Sequence, residues 1–295
     1  MSIYLTGASG FVGKNITEFF KDTKTIVKAT RNTSIEFEEQ VVIHLAGKAH
    51  DLKNVSSSDE YYKVNTELTK EIFDAFLTSE AKVFITLSSV KAVADEVDGE
   101  LTEDAIPNPI THYGKSKLLA EQYILSKPIP DGKRVYILRP CMIHGPGNKG
   151  NLNLLYSLVS KGLPWPLGLF QNSRSYLSIE NLCFIIKELI DREEIPSGVY
   201  NVADDVPLST NQMINMIAES KGKKACILNL SLKIIKIFAL VGDFLKLPLN
   251  SERLQKLTES YVVSNNKLKV ALGKPLPVSS REGLISTFQS FSSNA

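Results

Sequence analysis

Three glycines, Gly7, Gly10 and Gly13, lie between an apolar run, Ile3 to Leu5, and a segment, Lys14 to Phe20, in which Ile16, Phe19 and Phe20 recur at helical spacing. A strand, a glycine turn and a helix in this order leave few folds open to the chain. Gly7 can make the tight turn, Gly10 lets backbone amides approach a pyrophosphate, and Gly13 lets the helix pack close to the strand. The helix N-terminus at Phe11, Val12 and Gly13 then offers free N–H groups and the positive end of a dipole. The turn therefore reads as a dinucleotide cradle, the alternative being glycines that serve packing alone.

The rest of the chain repeats the motif. Thr25 to Thr30 is a short β-branched run, and Val41 to Ala46 is nearly continuously apolar, as strands buried on both faces of a parallel sheet are. A helix over Glu60–Phe76, a strand over Lys82–Leu87, a helix over His112–Leu125 and strands over Arg134–Leu138 and Val199–Val202 follow. This alternation predicts an α/β fold with a doubly wound parallel sheet. After Gly150 the rhythm changes to a helical Leu152–Val159, the punctuated Gly162–Gly168 and, from Ser209, mostly helical periodicity. The expected organisation is a dinucleotide-binding domain over 1–150, to which 174–205 return, and a smaller, mainly helical substrate-binding region over 151–173 and 206–295. The serine-rich tail from Ser290 is expected to fray.

Composition excludes several classes. With 43% hydrophobic and 22% charged residues the chain is neither disordered nor fibrous. Its net charge of +2 gives no global field for nucleic acid, so an anionic ligand needs a local site. Cys141, Cys183 and Cys226 form no CxxC pair, and His44, His50, His112 and His144 show no ligand spacing, so neither disulfides nor a metal are expected. A cytoplasmic protein is the natural reading, since no secretory signal precedes the first strand. The hydrophobic run Ile234–Leu247 is interrupted by Lys236, Asp243 and Lys246 and falls short of the roughly 20 residues of a membrane span. It reads as a buried or interface helix, with peripheral attachment to a membrane as the alternative.

Two further features carry chemistry. The second strand ends in Thr30-Arg31-Asn32, placing a cation where an acid would meet a ribose 2′-hydroxyl. Arg31 contacting a 2′-phosphate would make NADP at least as good a cofactor as NAD; a solvated surface arginine is the other reading. Tyr113 and Lys117 lie four apart, on one face of a helix, where an ammonium favours a phenolate that exchanges protons with an alcohol. Ser88 and Ser89 end a strand at the sheet edge where such folds bind ligands, with Ser89 able to bond the reacting oxygen or merely to cap a turn.

Taken in order, Gly7/Gly10/Gly13, His44-Leu45-Ala46-Gly47, Asn65, Ser88-Ser89, Tyr113-Gly114-Lys115-Ser116-Lys117, Arg139-Pro140 and His144-Gly145-Pro146-Gly147 resemble the extended short-chain dehydrogenase/reductases. More narrowly, the chain is similar to the nucleotide-sugar epimerase/dehydratase family, from Ile3 to about Gly283. The resemblance implies a Rossmann sheet, Tyr113 as acid/base, Lys117 binding the nicotinamide ribose and lowering the tyrosine pKa, and Ser89 orienting substrate. By the same resemblance Leu45, Ala46, Gly47 and Pro140 line the cofactor, NADP or NAD, and Asn65 ties the central helix to the sheet. Asn153 and Arg174 resemble positions that meet a nucleotide diphosphate, for which a guanidinium fork is suited. Arg253 is a further substrate candidate, while Lys48 and His50 could touch phosphate or sit in a solvated loop. A homodimer through the helices around 61–77 and 112–126 is also implied.

The chain departs from the family's dehydratases, which carry an Asp-Glu pair where Val90 and Lys91 stand. Elimination of water thus lacks its acid and base. Through Ser88-Ser89-Val90-Lys91 and Gly162 to Gly168 the chain resembles the branch that acts on UDP-HexNAc or 4-keto-6-deoxy sugars, and this resemblance implies oxidoreduction at C4 of a nucleotide-diphosphate sugar. Arg31 tilts the reading to a 4-keto reductase using exchangeable NADPH; the alternative is a 4-epimerase with tightly held NAD. From another class comes a dinucleotide-binding sensor, which would be expected to lose the tyrosine or the lysine.

Overall fold

The computed structural model describes residues 1–29, 35, 37–48, 58–148, 151–245 and 250–292, with the backbone alone at 151 and 252. Six parallel strands form the central sheet in the edge-to-edge order Thr25–Lys28, Ser2–Thr6, Val41–His44, Val83–Leu87, Arg134–Pro140, Gly198–Val202. This is the doubly wound sheet that the alternation predicts. The chain reverses direction of travel between Ser2–Thr6 and Val41–His44, and in such sheets ligands bind at the strand carboxyl ends beside that reversal.

Alternate side chains feed two cores. Ile3, Leu5, Ile43, Ile85 and Leu138 point to the face covered by helices Phe11–Phe20 and Ile179–Asp191. Tyr4, Val42, Phe84, Val135 and Ile137 point to the other, where Phe73 and Phe76 of helix Leu68–Thr78 and Ile124 of helix His112–Ser126 meet them. Each fully buried side chain of this size is worth about 1.5–3 kcal/mol relative to exposure. The edge strand Thr25–Lys28 is largely exposed.

The helix expected over Glu60–Phe76 begins at Ser58 and runs to Thr78 through a π turn at Tyr62–Glu67. A third core gathers helices Asn151–Ser160, Thr210–Ser220 and Ser280–Ser292 around Trp165, Leu167, Phe288 and Phe291. Strand Gly198–Val202 pairs with Arg134–Pro140 after the chain has left the sheet and come back.

The apolar run does not form a buried helix. Helix Leu232–Leu245 buries Ile235, Ala239 and Gly242 and leaves eight large apolar side chains exposed, because nothing among the described residues packs against its outer side. Among the described residues no helix is long and apolar enough to cross a membrane.

Candidate active site

The glycine turn is set by contact as much as by conformation. Gly7 has a φ of +69°, and a Cβ on it would stand 2.7 Å from the Ala46 nitrogen. At Gly13 a Cβ would come within 2.3 Å of the Gly7 carbonyl oxygen. Gly10 is exposed and precedes a helix that has no side-chain cap and no acidic residue in its first turn. Its Cβ would meet just the Gly7 oxygen, at 3.3 Å, so this side of the turn is open. Uncapped amides at Phe11 and Val12, an open Gly10 and a first turn without acidic residues suit a pyrophosphate.

The next loop is held by a buried hydrogen-bond chain. The Thr69 hydroxyl donates to the Asn65 carbonyl at 2.8 Å, so its oxygen accepts from His44 Nε2 at 3.0 Å. His44 Nδ1 is then left to accept from the Thr6 hydroxyl at 2.8 Å. The Thr6 oxygen in turn accepts the Leu45 and Ala46 amides at 3.1 and 3.0 Å. Burial, reinforced by the nearby Lys117 charge, lowers the His44 pKa to about 3, so the ring is neutral and keeps this one tautomer. Leu45, Ala46 and Gly47 are thus fixed from below, beside the glycine turn.

Asn65 sits in the π turn and joins this loop to the helix beyond. Its Oδ1 accepts from the Lys48 amide at 2.7 Å, and its Nδ2 donates to the Lys48 carbonyl at 3.1 Å and to Ser116 Oγ at 3.0 Å. Ser116 Oγ donates to the Tyr113 carbonyl at 2.8 Å. A Cβ on Gly47 would lie 3.1 Å from Lys117 Nζ and 3.2 Å from Asn65 Oδ1, so the floor of the cleft passes directly beside the lysine.

Tyr113 and Ser89 meet because two local devices align their elements. Ser89 caps the 3-10 turn Val90–Ala92, accepting from the Lys91 amide at 3.2 Å. Thr111 caps helix His112–Ser126, and the Asp95 carboxylate accepts from the amides of Ile110 and Thr111 at 2.6 and 3.2 Å. Gly114 closes the gap, since a Cβ there would stand 2.3 Å from the Lys91 carbonyl oxygen. The Tyr113 hydroxyl is hydrogen-bonded to Ser89, and its ring meets the Tyr61 ring edge-on at 6.3 Å.

Burial raises the Tyr113 pKa, with the Ser89 hydrogen bond opposing. The Lys117 ammonium donates to the Leu87 carbonyl at 2.8 Å. Burial also brings Lys117 down to about 8, the Glu121 carboxylate one turn on acting in the opposite sense. Glu121 is itself clamped by Arg139 through bonds of 3.0, 3.1 and 2.6 Å, both side chains almost fully buried. Arg139 therefore backs the lysine, and buried Pro140 ends the strand beside it.

Of the remaining candidates, Arg174 donates to the Lys256 carbonyl and lies 3.4 Å from Glu259. Asn153 is half-buried on helix Asn151–Ser160, and Arg253 is exposed on helix Ser251–Thr258, one turn before Lys256. Neither is brought against Ser89 or Tyr113 by a contact described above. The Lys91 ammonium donates to the Asp95 carbonyl at 2.6 Å and lies 4.3 Å over the Tyr261 ring. Arg31 and His50 lie outside the described residues. Sequence reasoning missed Asp95, Thr69 and the Glu121–Arg139 clamp, and it placed Thr6 and His44 without a role. For the last two a signal exists, since each is a polar residue closing an apolar strand; the others have none short of the fold.

A parallel sheet with an uncapped glycine turn and a Ser-Tyr-Lys set at its carboxyl edge invites comparison with known proteins. The model of the NAD dependent epimerase/dehydratase family matches residues 3–203. The chain belongs to this family. It is 32% identical to a UDP-glucose 4-epimerase of Vibrio cholerae, over 98% of this chain and 95% of that one. An N-acetyl-α-D-glucosaminyl-diphospho-ditrans,octacis-undecaprenol 4-epimerase of Escherichia coli O157:H7 is 28% identical over 76% of this chain and 73% of its own. Among solved structures, MoeE5 in complex with UDP-glucose and NAD superimposes with a TM-score of 0.76 at 19% identity, covering 100% of this chain and 99% of that one. The protein described here is thus an enzyme of an NAD dependent family.

Proposed function

We propose that this enzyme is a 4-epimerase of a sugar carried on a diphosphate, with UDP-sugars as its first substrates to try. The observation that carries the reading is the Tyr113–Ser89 hydrogen bond beside Lys117, built over a glycine cradle, without the acid and base that dehydration needs at positions 90 and 91. The extent of the match to a 4-epimerase over nearly the whole chain supports it.

The residues fit the roles as follows. The free amides at the start of helix Phe11–Phe20 would hold the pyrophosphate of the cofactor, the Gly10 amide donating instead to the Gly7 carbonyl at 3.0 Å, while Gly7 and the loop Leu45-Ala46-Gly47 shape the cleft. When bound, the nicotinamide supplies a reversible hydride acceptor. Tyr113 removes the proton of the C4 hydroxyl and later returns one to the same oxygen. Ser89 donates to that oxygen, and its bond to Tyr113 keeps the pair in register. Lys117, charged below about pH 8, offers an ammonium to the ribose and favours the phenolate when its bond to Leu87 is shared. Arg174, and with less support Asn153 and Arg253, meet the diphosphate.

A second reading, a 4-keto reductase with exchangeable NADPH, is favoured by Arg31 after the second strand. Mass spectrometry of the nucleotide released on denaturing the purified protein, followed by NMR of UDP-glucose and UDP-N-acetylglucosamine incubated without added cofactor, separates the two. The epimerase carries NAD(H) and forms the C4 epimer unaided. An empty enzyme that consumes NADPH in step with a 4-keto sugar overturns the epimerase reading in favour of the reductase.

A further inference from the structure

Helix Leu232–Leu245 shows apolar residues on two sides. Ile235, Ala239 and Gly242, at i, i+4 and i+7, face the protein. Ile237, Leu240, Val241 and Phe244, at i, i+3, i+4 and i+7, form a second stripe on the solvent side, exposed by 60%, 63%, 43% and 87%. A stripe of this length on one exposed helix is unlike the scattered single apolar residues of an ordinary surface.

Charge says what covers it. From position 221 to position 242 the chain holds Lys221, Lys223, Lys224, Lys233 and Lys236 and no carboxylate, in a protein whose net charge is +2. All five lysines are exposed. The first acid, Asp243, accepts from the amide of Ser251 at 2.9 Å and from its hydroxyl. A two-fold contact between copies would bring Lys233 and Lys236 of both chains towards one another without a neutralising acid on the segment. An apolar stripe bordered by cations suits instead a surface with an apolar interior and anionic headgroups.

We infer that helix Leu232–Leu245 docks this enzyme onto an anionic lipid bilayer, lying in the interface plane without crossing it. The Asp243–Ser251 bonds couple the docked helix to helix Ser251–Thr258, whose Lys256 carbonyl accepts from Arg174. The surface would therefore lie near the end of the molecule that holds Arg174. The inference does not depend on which reaction the active site performs.

Flotation of the whole protein with vesicles tests it. With phosphatidylcholine vesicles containing about 30% phosphatidylglycerol, the wild type is expected to co-float at least about tenfold more than with phosphatidylcholine alone, and to release as salt rises. The triple variant Ile237→Ser, Leu240→Ser, Phe244→Ser should fall to the phosphatidylcholine level, with its circular dichroism and elution volume unchanged. Lys233→Gln with Lys236→Gln, which leaves the apolar stripe intact, should weaken flotation several-fold. Wild-type protein that stays unfloated with both vesicles overturns the inference. So does a wild-type dimer that the triple variant dissociates, for then the stripe belongs to a second copy.

Discussion

Two helices of nearly equal length, His112–Ser126 with 15 residues and Leu232–Leu245 with 14, are held in opposite ways. The first has little apolar periodicity, yet polar contacts fix it at Thr111, Gly114, Ser116, Lys117 and Glu121. The second is rich in large apolar side chains, yet among the described residues it buries three residues and is tied by the hydrogen bonds from Ser251 to Asp243. Hydrophobic content therefore does not measure how firmly a helix is placed. Where a hydroxyl must meet a serine within a hydrogen bond, directional polar contacts do the positioning; a helix that meets a fluid surface needs no such precision.

The comparison can be broken most sharply at its chemical end. Replacing Tyr113 by Phe keeps the ring and its contact with Tyr61 but removes the proton carrier, so turnover should fall by about a thousandfold. Cofactor binding, followed by fluorescence titration, should stay within about twofold; retained turnover would remove Tyr113 from the reaction and revive a sensor. Next in size is Glu121→Gln, which leaves the Arg139 guanidinium buried without its counter-charge and should cost about 3–5 kcal/mol in denaturant unfolding. A double variant, Glu121→Met with Arg139→Met, should be less damaged than the single one, since no charge is then stranded.

His44 gives a smaller, pH-dependent effect. Its folded pKa of about 3 lies below the unfolded value near 6.5, so protonation favours the unfolded chain. The stability it contributes is complete above pH 6.5 and is lost as pH falls through the window down to about 3. Unfolding midpoints measured from pH 7 to pH 4 should therefore slope less steeply for His44→Gln than for the wild type, although the variant starts lower. The smallest effect belongs to the other helix: Phe244→Ser should change unfolding free energy by no more than about 0.5 kcal/mol, because the ring has nothing to lose on folding.

What the sequence disclosed follows the same division. The glycine turn, the parallel strands and the Tyr113/Lys117 face are local features, since spacing alone determines them. Glu121 and Arg139 are 18 positions apart on different elements, and Asp95 reaches the start of its helix across 15 residues, so neither could be read before the chain was folded. Spacing put Lys117 on the Tyr113 face but could show neither the Leu87 carbonyl that accepts from its ammonium nor the burial that raises the phenol pKa. Hydropathy located the apolar helix within two residues of its start yet could not say that its outer side meets nothing among the described residues, because an apolar stripe looks alike whether it faces a core or a lipid surface.

Gly114 carries a consequence for anyone who mutates this protein blindly. It performs no chemistry and binds nothing, but a Cβ there would drive into the Lys91 carbonyl and push the neighbouring tyrosine out of reach of Ser89. A random-mutagenesis screen scored for lost activity should thus return this position as often as the reactive ones. Restoring function there would require second-site changes that relax the 90–92 turn, so the tyrosine's address is kept by a neighbour whose whole contribution is the room it leaves.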